Sequence, residues 1–156
     1  MLSQGLARQV AREFVLPWVV VPLVASFFGL AIIYDRRPVI DVATLAGKPV
    51  VAYVPELEDL IIEWRAFRYR TCPTTITTEI VDSTKSVHRQ DAQSGPFSGT
   101  LGHDAWRAHR MVPRKAAWGP AKYRATVQYH CGWTHETFPL VIHTPEIEFV
   151  IGPPKK

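Results

Sequence analysis

The sequence lacks the short motifs by which many enzymes are recognised. Its 156 residues contain no Cys-x-x-Cys or His-Glu-x-x-His spacing for a metal, no Gly-x-Ser-x-Gly turn around a nucleophilic serine and no nucleotide-binding signature. Internal repeats and long low-complexity linkers are also missing. We therefore predict a protein without catalytic residues, metal or cofactor.

Cysteine is scarce, with two residues, Cys72 and Cys131. They are suited to one disulfide in an oxidising compartment, although two buried thiols are the alternative. We expect a Cys72–Cys131 disulfide. That expectation places the C-terminal domain in the periplasm or outside the cell.

Charge is missing from residues 15–34, VLPWVVVPLVASFFGLAIIY, a run of twenty residues. At about 1.5 Å per helical residue, such a run spans a bilayer core of about 30 Å. A cleavable signal peptide is the alternative, but its apolar part is usually about 7 to 15 residues long. The run predicts a transmembrane helix over 15–34, after a short amphipathic segment over 1–14, in a single-pass protein of the inner membrane. Two arginines stand close on each side, so charge alone leaves the orientation open.

The remaining chain is long enough for one hydrophobic core. We assign residues 35–48 to a tether and residues 49–156 to one domain. Charge is uneven along it: residues 35–64 carry three basic and six acidic side chains, whereas residues 65–124 carry eleven and four. The middle of the domain is its basic part.

The pattern within this domain is typical of short strands separated by proline and glycine. Residues 59–70 form the longest candidate strand, but Arg68 and Arg70 depart from its alternation and predict a bulge or an exit from the sheet. Residues 91–104, DAQSGPFSGTLGHD, predict a surface loop. The clearest alternation runs from Tyr123 to Cys131.

Residues 119–131, GPAKYRATVQYHC, carry a resemblance to known β domains. The turn before Tyr123 resembles the corner of fibronectin type III domains, and Tyr129-His130-Cys131 is similar to the Tyr-x-Cys ending of immunoglobulin domains. The resemblance implies an immunoglobulin-like antiparallel β-sandwich of about seven strands, with Tyr123 and Tyr129 as structural corner residues. The layout is also similar to uncharacterised single-pass membrane proteins of bacteria and phages.

Histidine is the residue type that best supports a competing, metal-dependent interpretation. Metal sites need three or four converging ligands, and His103 and His109 are the closest pair near a glycine-rich loop. We expect solvated or half-buried histidines instead. The six are His88, His103, His109, His130, His135 and His143.

Arginine interleaved with aromatic residues marks the basic middle. This composition is found both on nucleic-acid surfaces and in protein-binding hot spots. The residues that we select as candidate contacts are Trp106, Arg107, Arg110, Arg65, Arg68 and Arg70. Outside the cytoplasm a protein partner is favoured over nucleic acid, and the bilayer itself is the other expected partner.

The function expected from the sequence is therefore contact. We predict a non-catalytic interaction module or structural accessory subunit of an envelope complex, of bacterial or phage origin. An enzyme or metal-dependent domain using the histidine-bearing loops is one alternative. Binding of a nucleic acid or another polyanion through the basic middle is the other.

Overall fold

The computed structural model describes residues 4–35, 37–96, 99–132, 135 and 138–154. The chain divides into two compact units, residues 1–37 and residues 38–156.

The first unit is one helix, α1 (Gln4–Asp35). Its described side chains, residues 18–33, are mostly apolar and exposed. Among the residues that the structure describes, no helix combines the length and the apolar character needed to cross a membrane. The prediction of a transmembrane helix over 15–34, and with it of a single-pass membrane protein, is corrected accordingly.

The second unit is built from strands. They are β1 (Ile40–Pro49), β2 (Tyr53–Pro55), β3 (Asp59–Arg68), β4 (Thr74–Val81), β5 (Val87–Gly95), β6 (Gly102–Met111), β7 (Gly119–Tyr129), β8 (Leu140–His143) and β9 (Ile147–Gly152).

The strands form two sheets. One has the order β1-β3-β6, and the other has the order β2-β9-β7-β4-β5, with β8 paired to β7 beside β9. Strand β2 runs parallel to β9, whereas all other described pairs are antiparallel. The protein is mainly β, but the expected immunoglobulin-like sandwich of about seven antiparallel strands is wrong in the number and direction of strands. The number differs because strands with polar residues show no clear hydrophobic pattern and were not predicted. The direction differs because β2 pairs with β9, which is far from it in the sequence.

The core lies where the inner faces of the two sheets meet. Alternate residues of β3, from Leu60 to Ala66, are buried, and so are alternate residues of β7, from Ala121 to Tyr129. The rings of Trp64 and Tyr123 connect these faces, with centroids 6.4 Å apart. The alternation of each strand therefore decides which side chains stabilise the domain and which remain available on its surface.

Two local expectations differ from the structure. Most of the expected tether 35–48 is strand β1, and the expected loop 91–104 contains the end of β5 and the start of β6. Both were missed because their residues show little apolar periodicity. At the end of β3, the strand stops at Arg68, before Arg70, as the predicted exit from the sheet requires, although Arg68 itself continues the buried face in register with β6.

The expected disulfide is confirmed. Cys72 lies just before β4 and Cys131 just after β7, and the bond joins them across 59 residues of sequence. It therefore fastens the ends of two neighbouring strands in the larger sheet. Closing a loop of this length is worth about 4 kcal/mol in the chain-entropy model.

Removal of this bond should destabilise the domain without changing its fold. We expect the Cys72→Ser/Cys131→Ser variant to lose about 2–4 kcal/mol of unfolding free energy, because its unfolded chain is less constrained. Urea denaturation of the full chain measures this loss. Thiol labelling of the unreduced, denatured wild type should detect no free cysteine, and labelling of both cysteines would contradict the disulfide.

Candidate contact surface on strands β3 and β6

The predicted contact residues converge on two paired strands. Strands β3 and β6 are antiparallel and in continuous register from Asp59↔Met111 to Arg68↔Gly102. Arg65 and Arg68 belong to β3, and Trp106, Arg107 and Arg110 belong to β6, while Arg70 lies two residues beyond β3. The pairing brings these residues together but divides them between two faces of the sheet.

Arg68 and Trp106 lie on the inner face. The Arg68 Nε donates to Asp104 Oδ2 at 3.0 Å, and its terminal nitrogen Nη2 lies 2.9 Å from the same oxygen. The guanidinium carbon is 5.5 Å from the centre of the Trp106 ring, which stacks on Trp64 at 6.5 Å. Arg68 is 1% exposed, so its charge is compensated inside the protein rather than offered to a partner.

Arg110 also lies on the inner face. It interacts with the buried hydroxyl of Tyr123 on the opposite sheet. Burial raises the pKa of Tyr123, and the nearby Arg110 only partly offsets this effect. Burial likewise raises the pKa of Tyr129, against the opposing charge of Arg68. Tyr123 and Tyr129, expected as corner residues, are thus core residues on the inner face of β7.

The outer face of the same strands is largely exposed and carries arginines and carboxylates. Arg107 contacts Glu63 Oε1 through Nη2 at 2.7 Å and through Nε at 3.1 Å. This hydrogen bond lowers the pKa of Glu63, and the charges of Lys48 and Arg65 lower it further. Three cations therefore lie around the Glu63 carboxylate, while the second carboxylate of this face, Asp59, lies 3.8 Å from His109.

A hollow lies between the two exposed arginines. Its volume is about 440 Å³, and Ala105 forms part of its lining together with Arg65 and Arg107. Ala105 faces Arg65 directly across the β3–β6 pair. Because an alanine separates the longer side chains of its neighbours, a partner side chain can reach the sheet between them.

A groove runs along the other side of β6. Strand β6 ends the smaller sheet and β5 ends the larger one, and their edges enclose about 370 Å³. Gln90 of β5 donates to the Met111 carbonyl at 2.7 Å and closes one end of the groove. At the other end, where the chain passes from β5 to β6, Gln93, Ser94 and Gly95 line the groove together with the segment from Asp104 to Arg107.

The sequence did not reveal the walls of this groove. Its β5 residues lie in what was expected to be a loop, and Ala105 carries no chemical signal of its own. One signal was present in β6, where His103, Ala105, Arg107 and His109 alternate with the half-buried residues. That period of two indicates an edge strand with one exposed face.

The histidines are distributed over the whole domain. Among the described residues, no group of three or more His, Cys, Asp or Glu side chains is placed to hold a metal ion. His103 packs edge-on against Phe67 at 5.2 Å, and His109 lies 3.8 Å from Asp59, so these two histidines make separate contacts. The nearest approach to an acid–base pair is His88 Nε2, which lies 2.8 Å from Asp82 Oδ2.

Asp82 has a structural role in the turn between β4 and β5. Its carboxylate accepts hydrogen bonds from Thr84, from the Ser86 amide at 3.0 Å, from the Ala117 amide at 3.0 Å and from the His88 contact. Burial alone would raise the pKa of Asp82, but these hydrogen bonds outweigh burial and hold it well below its ordinary value. The hydrogen bond from the Ala117 amide joins this turn to the loop before β7.

Comparison with known proteins adds little. No protein-family model and no curated protein matches the chain. Similar solved structures include the Pseudomonas fluorescens alkylpurine DNA glycosylase AlkC bound to DNA containing an abasic site analog, at 16% identity over 74% of this chain and 31% of that chain, with a TM-score of 0.38. This chain thus spans about a third of the length of AlkC.

Two further structures are equally distant. One is a chain from a structural study of T cell specificity and activation by the bacterial superantigen toxic shock syndrome toxin-1. It is 8% identical over 69% of this chain and 99% of that chain, with a TM-score of 0.37. The other is Spo0M, a sporulation control protein from Bacillus subtilis, at 7% identity over 69% and 48%, with a TM-score of 0.39. These values are too low to support an argument about function.

The buried ion pair Arg68–Asp104 should contribute far more to stability than the exposed pair Arg107–Glu63. We expect Asp104→Ala to cost about 3–5 kcal/mol of unfolding free energy, because it leaves the Arg68 charge buried without its carboxylate. The matched control is Glu63→Ala, which removes the exposed partner of Arg107 and should have a much smaller effect. Urea denaturation of both variants measures the difference, and equal losses would contradict the assigned role of Asp104.

The Asp82 hydrogen bonds should make stability depend on pH. Because the folded-state pKa of Asp82 lies below its unfolded value of about 3.9, its contribution is complete above that value and is lost as pH falls below it. Asp82→Asn should therefore lower the unfolding free energy at pH 7, and the difference from wild type should shrink toward pH 3. Urea denaturation across this range tests the prediction, with Asp91→Asn, at an exposed position, as the control. A difference independent of pH would contradict it.

Proposed function

We propose that the chain is a non-catalytic interaction module that binds a protein partner through the outer face of β3 and β6. In this role it serves as an accessory subunit of a complex in the cell envelope. The observation that carries the proposal is the exposed hollow at Ala105, flanked by Arg65 and Arg107 at the edge of a sheet. Arginine around a recess is a frequent feature of protein-binding hot spots.

The outer face of the larger sheet provides a contrast. There, Glu79 accepts from Arg89 at 2.8 Å and from Arg124 at 2.7 Å, and Lys122 donates to Glu146 at 2.8 Å. Basic and acidic side chains thus compensate each other along that face. On the smaller sheet, Lys48, Arg65 and Arg107 lie around the carboxylate of Glu63, and this local cluster of cations favours recognition of an acidic partner.

The disulfide supports the proposed location. Structural disulfides persist in oxidising compartments and are rare in the reducing cytosol. A bond between Cys72 and Cys131 therefore favours the periplasm or the cell exterior for this domain.

Photo-crosslinking in the producing cell tests the contact surface. A photoreactive residue in place of Ala105 should give a discrete crosslinked protein, because this exposed position lies between the two arginines. The same residue in place of Val141, which is exposed on β8, is the matched control and should not give that product.

Charge reversal completes the test. Arg107→Glu should abolish the product at position 105, because it reverses the charge beside the hollow, whereas Arg114→Glu, at an exposed position outside this surface, should preserve it. A product that persists with Arg107→Glu, or appears equally from position 141, would contradict the proposed surface.

A further inference from the structure

We infer that a pocket on the outer face of the larger sheet binds an aliphatic carboxylate. The pocket has a volume of about 490 Å³ and is lined by the turn between β4 and β5 and by strands β7 and β9. In the inferred complex, the carboxylate pairs with Lys85 and the aliphatic chain lies over Pro120 and Val150. This site belongs to the other sheet from the β3–β6 surface, so it adds a ligand to the proposed protein contact.

The first argument is the apolar floor of the pocket. Pro120 of β7 is paired with Val150 of β9, and the Val150 amide donates to the Ala52 carbonyl at 2.8 Å. These three residues are exposed, and Val81 of β4 lines the pocket beside them. Small-molecule sites are typically pockets of about 300–1,000 Å³ with mainly apolar walls and a few polar groups. The floor therefore favours a ligand with an apolar body.

The floor also sets the length of the ligand. It crosses the larger sheet from β4 through β7 and β9 to Ala52, which precedes β2. Neighbouring strands are about 4.8 Å apart, so three spacings amount to about 14 Å, the reach of an extended chain of about ten carbon atoms. A chain of medium length thus fits across the strands with its head at the β4–β5 turn.

The second argument is the charge at that end of the floor. The charged residues of the lining are Lys85, Lys122, Asp82 and Glu148. Lys122 lies 2.8 Å from Glu146 and 3.6 Å from Glu148, and the buried Asp82 carboxylate accepts the hydrogen bonds of its turn. The formal charges of the lining balance, but among the described residues the Lys85 side chain has no ion-pair or hydrogen-bond partner. An anionic head can therefore pair with Lys85 without displacing another group.

The turn holds Lys85 in a defined position. The Lys85 amide donates to the Asp82 carbonyl at 2.9 Å, and Ser83 Oγ donates to the Trp118 carbonyl at 2.8 Å. The φ angle of Lys85 is 67°, in the left-handed region that glycine adopts most readily. Lysine thus occupies a backbone position for which the fold alone favours glycine. A role of its ammonium group in binding accounts for a lysine at this position.

A single ammonium group favours a carboxylate over a phosphate. Phosphates are usually held by several donors, such as an arginine fork or a series of backbone amides. The pocket offers the ammonium of Lys85, while the hydroxyl proton of Ser83 is already donated to Trp118. A monoanion with an aliphatic chain matches both this charge and the apolar floor.

Calorimetric titration of the full-length protein tests the inference. We expect decanoate, used below its aggregation concentration, to bind the wild type at one site. Lys85→Gln should weaken this binding about tenfold, because a charge-assisted hydrogen bond is lost, whereas decanol should bind both proteins equally. The matched control is Lys115→Gln, at an exposed position outside the pocket, which should leave decanoate binding unchanged.

Two further comparisons test the apolar floor. Val150→Ser, at an exposed position, should weaken decanoate and decanol alike, because it removes apolar contact from the chain. Shortening decanoate to octanoate should weaken binding about twofold to fourfold for each methylene group. Decanoate affinity that is unchanged by Val150→Ser would show that the chain lies elsewhere and would contradict the assigned floor.

Lys85→Gly separates ligand binding from folding. It removes the ammonium group and relieves the positive φ, so decanoate binding should be lost while the urea midpoint stays at or above that of the wild type. Leu57→Gly is the matched control, because Leu57 also has a positive φ, of 68°, but does not line the pocket. This variant should bind decanoate as the wild type does.

Several results would overturn the inference. They are no decanoate binding by the wild type, decanoate binding that is unaffected by Lys85→Gln, and equal weakening of decanoate and decanol by that variant. Displacement of decanoate by inorganic phosphate at similar concentration would show an anion site without selection for an aliphatic chain, which also contradicts it. Crosslinking from position 105 does not involve Lys85, so these failures would leave the proposed contact surface intact.

Discussion

The ion pair between Arg68 and Asp104 is the constraint on which the contact surface depends. A buried guanidinium requires a compensating carboxylate, and this one is supplied by the neighbouring strand at 2.9 Å. A slip of β6 by one residue would turn Asp104 outward and separate the charges. The pair therefore fixes the register of β3 and β6, and that register in turn places Arg107 beside Glu63 and leaves Ala105 opposite Arg65.

The strands that could be predicted from the sequence are those in which apolar and polar residues alternate clearly. Strands β3 and β7 have alternating residues, and the sequence located them to within a few positions. Strands β5 and β6 have small and polar residues because each lies at a sheet edge, so their period is weak. The parallel pairing of β2 with β9 joins residues that are far apart along the chain, and no local pattern reports such a contact.

The sequence selected candidate contact residues without showing how the fold arranges them. Most of these residues lie on β3 and β6, but composition does not tell which face each side chain occupies. Arg68 departs from the apolar alternation of β3, which predicted a bulge or an exit from the sheet, and the sequence did not show that Asp104, 36 residues away, compensates its charge. The residues that shape the surface include Ala105, which has no distinctive chemistry, so its role emerges only from the neighbours that the fold provides.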